Sequence, residues 1–473
     1  TDIFPALSCF SPGIFTQCNM RHRWPQLPKK AVFWQMLPQE SRTDNINVRR
    51  RGRVIVRCEG GEILKKFMKF LTASVAAAGL LFAAVLGTAD YFTPDSYTVT
   101  AGSRLRWLSG ALSVVRDGEA DVSASTAAQY PQSYDAQLML YDTIPLKAVK
   151  INVVDQTCVV LSGKPFGIEM FTNGVVVVGL ADIKTDTGSI NPAIDAGLKV
   201  GDVITAIDGK TVSKNTDVQQ AVESCRGKTL KFTVRRDGAV CSLSVRPVCS
   251  EADGLYKAGV WVRDSTAGIG TLTYYDPSTS CFAGLGHGIC DSDTGKLMPL
   301  LSGNIVSVTI NGITQGRKGA PGELRGYFSD DAAIGTLLAN VPSGVYGRLA
   351  RSPQGPALKA AMKQEVKPGP VKILTTIHGS SPQYFNAEIE RIDYRDSAQS
   401  KNMVLRITDE KLLSQTGGIV QGMSGSPIVQ NGKLVGAVTH VFVNDPTCGY
   451  GIFAENMLEE SRAAGALLKQ KVS

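Results

Sequence analysis

The sequence predicts a mostly β, multidomain protein that starts with a membrane or signal segment, and three observations carry that prediction. At 473 residues the chain exceeds the roughly 250–300 residues that one hydrophobic core serves, so several domains are expected. Its 48 glycines, its 19% of charged residues and its many Val-, Ile- and Thr-rich runs broken by turn residues describe strands joined by tight turns, not long amphipathic helices. The third observation is FLTASVAAAGLLFAAVLGTA at residues 70–89, uncharged and about as long as a bilayer is thick.

The elements follow in chain order. Residues 1–63 hold two of the four tryptophans and an arginine-rich run at 49–53, without usable periodicity. One reading makes them a leader that is not translated: Glu59-Gly60-Gly61-Glu62 is what a purine-rich, ribosome-binding-like stretch would encode, and Leu64 would then be a non-AUG start. Residues 64–90 form a signal-anchor or transmembrane segment, because Lys65, Lys66 and Lys69 precede the apolar run and Asp90 follows it. The positive-inside rule keeps the lysines in the cytoplasm and exports everything after Asp90, either anchored or, after cleavage near VLGTA, secreted. Residues 91–163, with runs such as SYTVTAG and LKAVKINVV, read as a β-rich connecting region.

The formal net charge of +8 does not indicate nucleic acid. Residues 1–69 carry 13 Lys/Arg against 5 Asp/Glu, and the remainder carries 37 of each. A neutral body lacks a phosphate-binding footprint, so no nucleic-acid partner is expected. Seven cysteines lie beyond the leader with no CxxC pair, so no metal site is expected. A disulfide among Cys225, Cys241, Cys249, Cys281 and Cys290 is compatible with export; buried free thiols are the commoner use.

Residues 164–250 change pattern. PFGIEMFTNGVVVVGLADI is followed by NPAIDAGLKVGDVITAIDGKTV and TDVQQAVESCRGKTLKFTVRRDG. Asn191-Pro192-Ala193 starts a short helix with proline early, Gly197 ends it, and Gly201-Asp202 turns into the strand VITAIDG. A second helix is expected at about 216–224. This block resembles a PDZ domain along its whole length. The resemblance implies that an extended peptide adds as a strand along residues 166–170, with Gly167, Ile168 and Met170 as binding residues. A PDZ-like fold kept only as a structural element is the alternative.

Residues 251–473 hold the chemistry. Residues 422–427 read GMSGSP and continue into PIVQNGKLVGAVTHVF. Glycines let the backbone bend sharply, so that a serine hydroxyl and two N–H groups converge on one carbonyl. The frame compares well with the Gly-Asp-Ser-Gly-Gly-Pro of chymotrypsin-like serine proteases, with Ser424 as nucleophile, Gly422 and Ser424 N–H groups as oxyanion hole, and Ser426 as the weaker nucleophile candidate. Serine needs a base. His287 in GLGHGI is framed by glycines at a turn, and His440 after the hairpin is the other candidate.

The whole block resembles the SpoIVB family of sporulation serine peptidases, through GLGHGICDSDTGKLMPL, GAPGELRGYF and ITDEKLLSQTGGIVQGMSGSPIVQNGKLVGAVTHVFVNDPTCGYGIFAENML. The likeness covers about residues 64–465. It implies a chymotrypsin-like β-barrel peptidase needing no cofactor, with His287 as base, Ser424 as nucleophile and Asp409 as orienting carboxylate. From chemistry alone Asp291, Asp330, Asp331 and Asp445 are also available, and Asp409 could equally cap the helix EKLLSQ. The resemblance further implies a peptidase at the forespore inner membrane, facing the space towards the mother cell. There it would cleave itself, within the connecting region, and a regulatory subunit of an intramembrane protease, leading to activation of the late mother-cell sigma factor. An inactive peptidase-like scaffold that binds peptides through its PDZ domain is the alternative.

Overall fold

The computed structural model describes residues 60–472 apart from 101–104, 108–110, 117–132, 354, 356 and 396–398. The expected leader lies outside the described residues up to residue 59. Helix α1 (Gly60–Phe92) contains a segment, Lys65–Ala84, long and apolar enough to cross a membrane, and none of it is covered by protein. Phe70, Leu80 and Leu81 are more than 70% exposed, an apolar surface that a bilayer would remove from water.

The connecting region is a five-stranded sheet over Ser96–Thr100, Arg106–Trp107, Leu112–Arg116, Ser133–Leu140 and Ile144–Val154. The last of these lies between the first and the fourth. Tyr97, Val99, Leu112, Leu138 and Ile151 are buried on one face of it, as strand alternation requires. The seven cysteines from Cys158 to Cys448 are free thiols.

From residue 165 the labelled strands are β1 (Pro165–Leu180), β2 (Val203–Ile207), β3 (Leu230–Arg236), β4 (Ala239–Val245), β5 (Val260–Asp276), β6 (Cys281–Gly284), β7 (Leu300–Thr314), β8 (Glu323–Val341) and β9 (Gly344–Leu349). Helices α2 (Pro192–Asp195) and α3 (Asn215–Ser224) fall between β1 and β3. Asn191 caps α2 by accepting from the Ala193 and Ile194 N–H groups, with Pro192 at the first helical position, as the local sequence predicts.

β1 and β5 form one long antiparallel ladder, with Pro165 opposite Thr271 at one end and Leu180 opposite Val260 at the other. The ladder is interrupted where residues 172–175 of β1 bulge opposite Asp264. Thr172 Oγ1 closes the bulge by donating to the Gly174 and Asp264 carbonyls. The interruption separates two cores. Beyond it Val175 and Val177 join Ile204, Val218, Phe232 and Val234 in the PDZ core, which Val260 and Val262 of β5 complete.

Before the bulge, β1 pairs with β7, β7 with β8, β8 with β9, β9 with β6, β6 with β5, and β5 with β1 again. Six strands thus close on themselves around Phe166, Ile168, Met170, Phe282, Leu285, Met298, Ile305 and Val345. A second closed barrel follows, with strand order β10 (Gly369–Thr375), β11 (Gln383–Ile392), β12 (Met403–Ile407), β15 (Asp445–Phe453), β14 (Lys433–Phe442), β13 (Pro427–Gln430). Helix α5 (Ala454–Val472) buries Met457, Leu458 and Ala464 against Ala437 and Ile452. The expectation of a β-rich chain with a chymotrypsin-like barrel holds. The PDZ block, however, does not simply precede the peptidase: it is inserted at the end of a hairpin of the first barrel.

That insertion corrects the expected peptide-binding residues. Gly167, Ile168 and Met170 are barrel residues, with β5 on one edge and β7 on the other, so no edge is left for an added peptide strand. Ile168 and Met170 are fully buried among Phe282 and Ile305. A Cβ on Gly167 would sit 2.4 Å from the Phe328 ring.

Candidate active site

His287 follows β6 of the first barrel and Ser424 precedes β13 of the second, and the two loops are pressed together. At Gly425 (φ +94°) a Cβ would lie 2.0 Å from the Thr271 carbonyl oxygen and 2.5 Å from the Leu285 nitrogen. At Gly286 (φ +68°) it would lie 2.9 Å from Thr439 Cγ2. Only glycine permits both the left-handed backbone and this approach, which is the structural reason for glycines beside the serine and the histidine.

His287 is 5% exposed. Its Nδ1 is 3.0 Å from the Gly288 carbonyl oxygen; a carbonyl only accepts, so Nδ1 carries the proton and Nε2 of the neutral ring is free to act as base. The ring faces His440 of β14, centroids 4.6 Å apart and planes inclined by 34°. Burial first, then the neighbouring His287 and Lys401, hold the His440 pKa down at about 3, so His440 stays neutral and is unsuited to the role of base.

Ser424 Oγ donates to the Thr439 carbonyl, 2.6 Å away and one residue before His440. The hydroxyl therefore rests on β14 at the residue next in sequence to His440, whose ring faces His287. Around it the peptide frame is held from behind. Thr271 donates its hydroxyl to Gly422 O (2.7 Å) and its N–H to Ser424 O (2.9 Å), and Thr273 Oγ1 donates to Gly425 O (2.7 Å). The N–H groups of Gly422 and Ser424, expected as oxyanion hole, have no partner among the described residues. Two free, preorganised donors beside a serine suit a developing oxyanion. Sequence reasoning missed Thr271 and Thr273, since threonine in a strand is ordinary.

The structure does not bring Asp409 to the histidine. Asp409 is the N-cap of α4 (Glu410–Thr416), one oxygen accepting from Leu412 N–H and the other from Asn386 N–H, both at 3.1 Å. Asp291 is ion-paired with Arg263 and Asp445 is bonded to Thr447. Asp330 and Asp331 lie in β8 with side chains outside the described residues. The partner described for the His287 ring nitrogen is thus a carbonyl rather than a carboxylate. Asp409→Asn is expected to keep most activity, since its one amide oxygen still caps Leu412 N–H and only the Asn386 bond is lost, whereas Asp409→Ala costs about 1–2 kcal/mol. Parallel kcat and urea-midpoint measurements check this; a collapse of kcat in a stable Asp409→Asn variant would restore the carboxylate to the catalytic machinery.

His440 gives a pH prediction. Its folded pKa lies below the ordinary value of 6.5, so below pH 6.5 the unfolded chain takes up a proton that the native protein refuses. Stability is full above pH 6.5 and falls as pH drops towards 3. A loss of about 2 kcal/mol is expected between pH 6.5 and 5, and His440→Gln should flatten it; urea midpoints at the two pH values decide.

Residues 254–458 match the family model described as SpoIVB peptidase S55, and residues 166–246 match a PDZ domain model. A putative zinc metalloprotease, LL2128 of Lactococcus lactis, is 33% identical over 96 residues, 20% of this chain and 21% of that protein. Serine protease HTRA1 of Xenopus tropicalis is 38% identical over 76 residues, 16% of this chain and 15% of that protein. The chain thus spans about a fifth or less of the length of these curated relatives. Among solved structures, the active form of the Rv3671c protease of M. tuberculosis aligns at 15% identity and a TM-score of 0.27, over 42% of this chain and 74% of that one. The PDZ domain of an SdrC-like protein of Listeria monocytogenes aligns at 24% identity and a TM-score of 0.16, over 19% and 87%.

Proposed function

We propose that this chain, a serine peptidase with an S55 domain of the SpoIVB family and a PDZ domain, is an exported endopeptidase of sporulation that cleaves itself and a regulatory protein between forespore and mother cell. The observation that carries the peptidase chemistry is the packing of the Ser424 loop against the His287 loop, beside two N–H groups without a partner among the described residues. Once Ser424 Oγ turns from Thr439 O, His287 Nε2 takes its proton as the oxygen attacks a peptide carbonyl. The oxyanion settles on the Gly422 and Ser424 N–H groups, and His287 returns the proton to the leaving amine. Water then hydrolyses the acyl-enzyme by the same steps. The Gly288 carbonyl, accepting from Nδ1–H, orients the ring and supports its transient charge.

The α1 segment supplies export or anchoring. A substrate tail docks at the edge of β5 opposite β1, along Val260 to Arg263, where no strand is paired among the described residues. Helix α3 flanks that edge, its Asn215 N–H donating to the Asp264 carboxylate. The S55 match supports the sporulation role. Incubating wild-type protein with a serine-directed fluorophosphonate, and with the Ser424→Ala protein as substrate, tests the reading. Labelling and cleavage within residues 90–160 are expected. Absence of both would leave a peptide-binding scaffold, the reading that the Ser424 hydroxyl resting on Thr439 favours.

A further inference from the structure

In a planar trans peptide the N–H of one residue points opposite to the carbonyl of the residue before it. The aim of the two oxyanion donors is therefore decided by whatever holds Gln421 O and Met423 O. Gln421 O accepts from Leu324 N–H at 2.8 Å. Met423 O accepts twice from one residue, from Ser426 N–H at 2.9 Å and from Ser426 Oγ at 2.6 Å. Ser426 is fully buried and its oxygen lies 2.9 Å from Thr375 Oγ1, itself fully buried at the end of β10. A hydroxyl has one proton, and the Met423 carbonyl can only accept. Ser426 Oγ is placed as donor to both Met423 O, at 2.6 Å, and Thr375 Oγ1, at 2.9 Å; the nearer carbonyl takes the larger share of its one proton, and Thr375 fixes where the hydroxyl sits.

We propose that Ser426 and Thr375 form a positioning pair for the oxyanion hole: the Ser426 hydroxyl, braced against Thr375 Oγ1, locks Met423 O and thereby aims the Ser424 N–H. This deepens, and rests on, the assignment of Ser424 as nucleophile. It accounts for a serine where the Gly-Asp-Ser-Gly-Gly-Pro frame has glycine, and for why this second serine hydroxyl is sealed from substrate. A donor that is correctly aimed contributes to the transition state and little to the ground state. Loosening it lowers kcat and leaves KM nearly constant.

The test compares Ser426→Ala, Thr375→Val and Thr375→Ser in the full chain on a peptide substrate, with affinity for a peptide boronate as the probe of the hole. Ser426→Ala should lower kcat by about 10- to 100-fold, change KM less than about twofold, and weaken boronate binding by a similar factor. Thr375→Val should give a smaller loss of the same kind, and Thr375→Ser should recover it. The shape of the kcat/KM pH profile should not change, because neither position carries a group that titrates in that range. Wild-type kcat and boronate affinity in Ser426→Ala would overturn the proposal, as would losses that only follow the folded fraction measured by circular dichroism. If Ser426→Ala does not fold, the Thr375 pair decides by the same criteria. Retention of activity in Ser424→Ala would instead overturn the nucleophile assignment beneath it.

Discussion

Ser424→Ala is expected to lower kcat/KM by about 10⁴-fold or more while leaving the folded protein intact. Among the described residues the serine hydroxyl makes one hydrogen bond, to the Thr439 carbonyl, so alanine removes the attacking oxygen and a single hydrogen bond worth about 1 kcal/mol. His287→Ala should cost a similar factor, because an unactivated hydroxyl is a poor nucleophile. The double variant should be little worse than either single, since the two groups act as one unit. Residual rate in each should come from the free N–H groups of Gly422 and Ser424, which neither change removes. Kinetics on one peptide substrate, with urea denaturation alongside, settle the matter. Multiplicative losses in the double variant would mean that His287 does not serve Ser424.

Gly425→Ala should abolish activity and destabilise the protein together. Alanine must adopt φ near +94° and place its methyl 2.0 Å from Thr271 O and 2.5 Å from Leu285 N. Both obstacles are backbone, so no flexible side chain can swing away. Backbone strain of about 1–2 kcal/mol adds to an overpacking cost of about 1–3 kcal/mol, and relief requires the loop bearing His287 to retreat from the loop bearing Ser424. Gly432→Ala is the control: it too has positive φ, +74°, but nothing within 4 Å, so only the backbone strain applies. Equal stability losses in the two variants would show that crowding between the loops contributes nothing.

The features that could be read directly were those whose physics is local. Asn191-Pro192 caps and starts a helix within four residues, and Gly422, Gly425 and Gly286 bend the chain where they stand. Ser424, His287 and their glycine frames were therefore legible as a candidate site, and the apolar run of α1 as a membrane-length segment. By itself the sequence determined the β-rich class, the two motif loops and the PDZ pattern. It did not determine what lies across an edge. The alternation in PFGIEM shows that Phe166, Ile168 and Met170 are buried on one face, but a strand's two edges are the same N–H and C=O groups whatever pairs with them. Only the closure of β1 between β5 and β7 decided that this stretch is barrel wall and not a peptide groove. The Asp409 carboxylate likewise had two partners open to it in sequence, a distant imidazole or the N–H groups of its own helix. Tertiary structure gave it Leu412 and Asn386, and left the His287 ring to the carbonyl of Gly288, because the acceptor that orients a side chain is whichever one folding brings within about 3 Å.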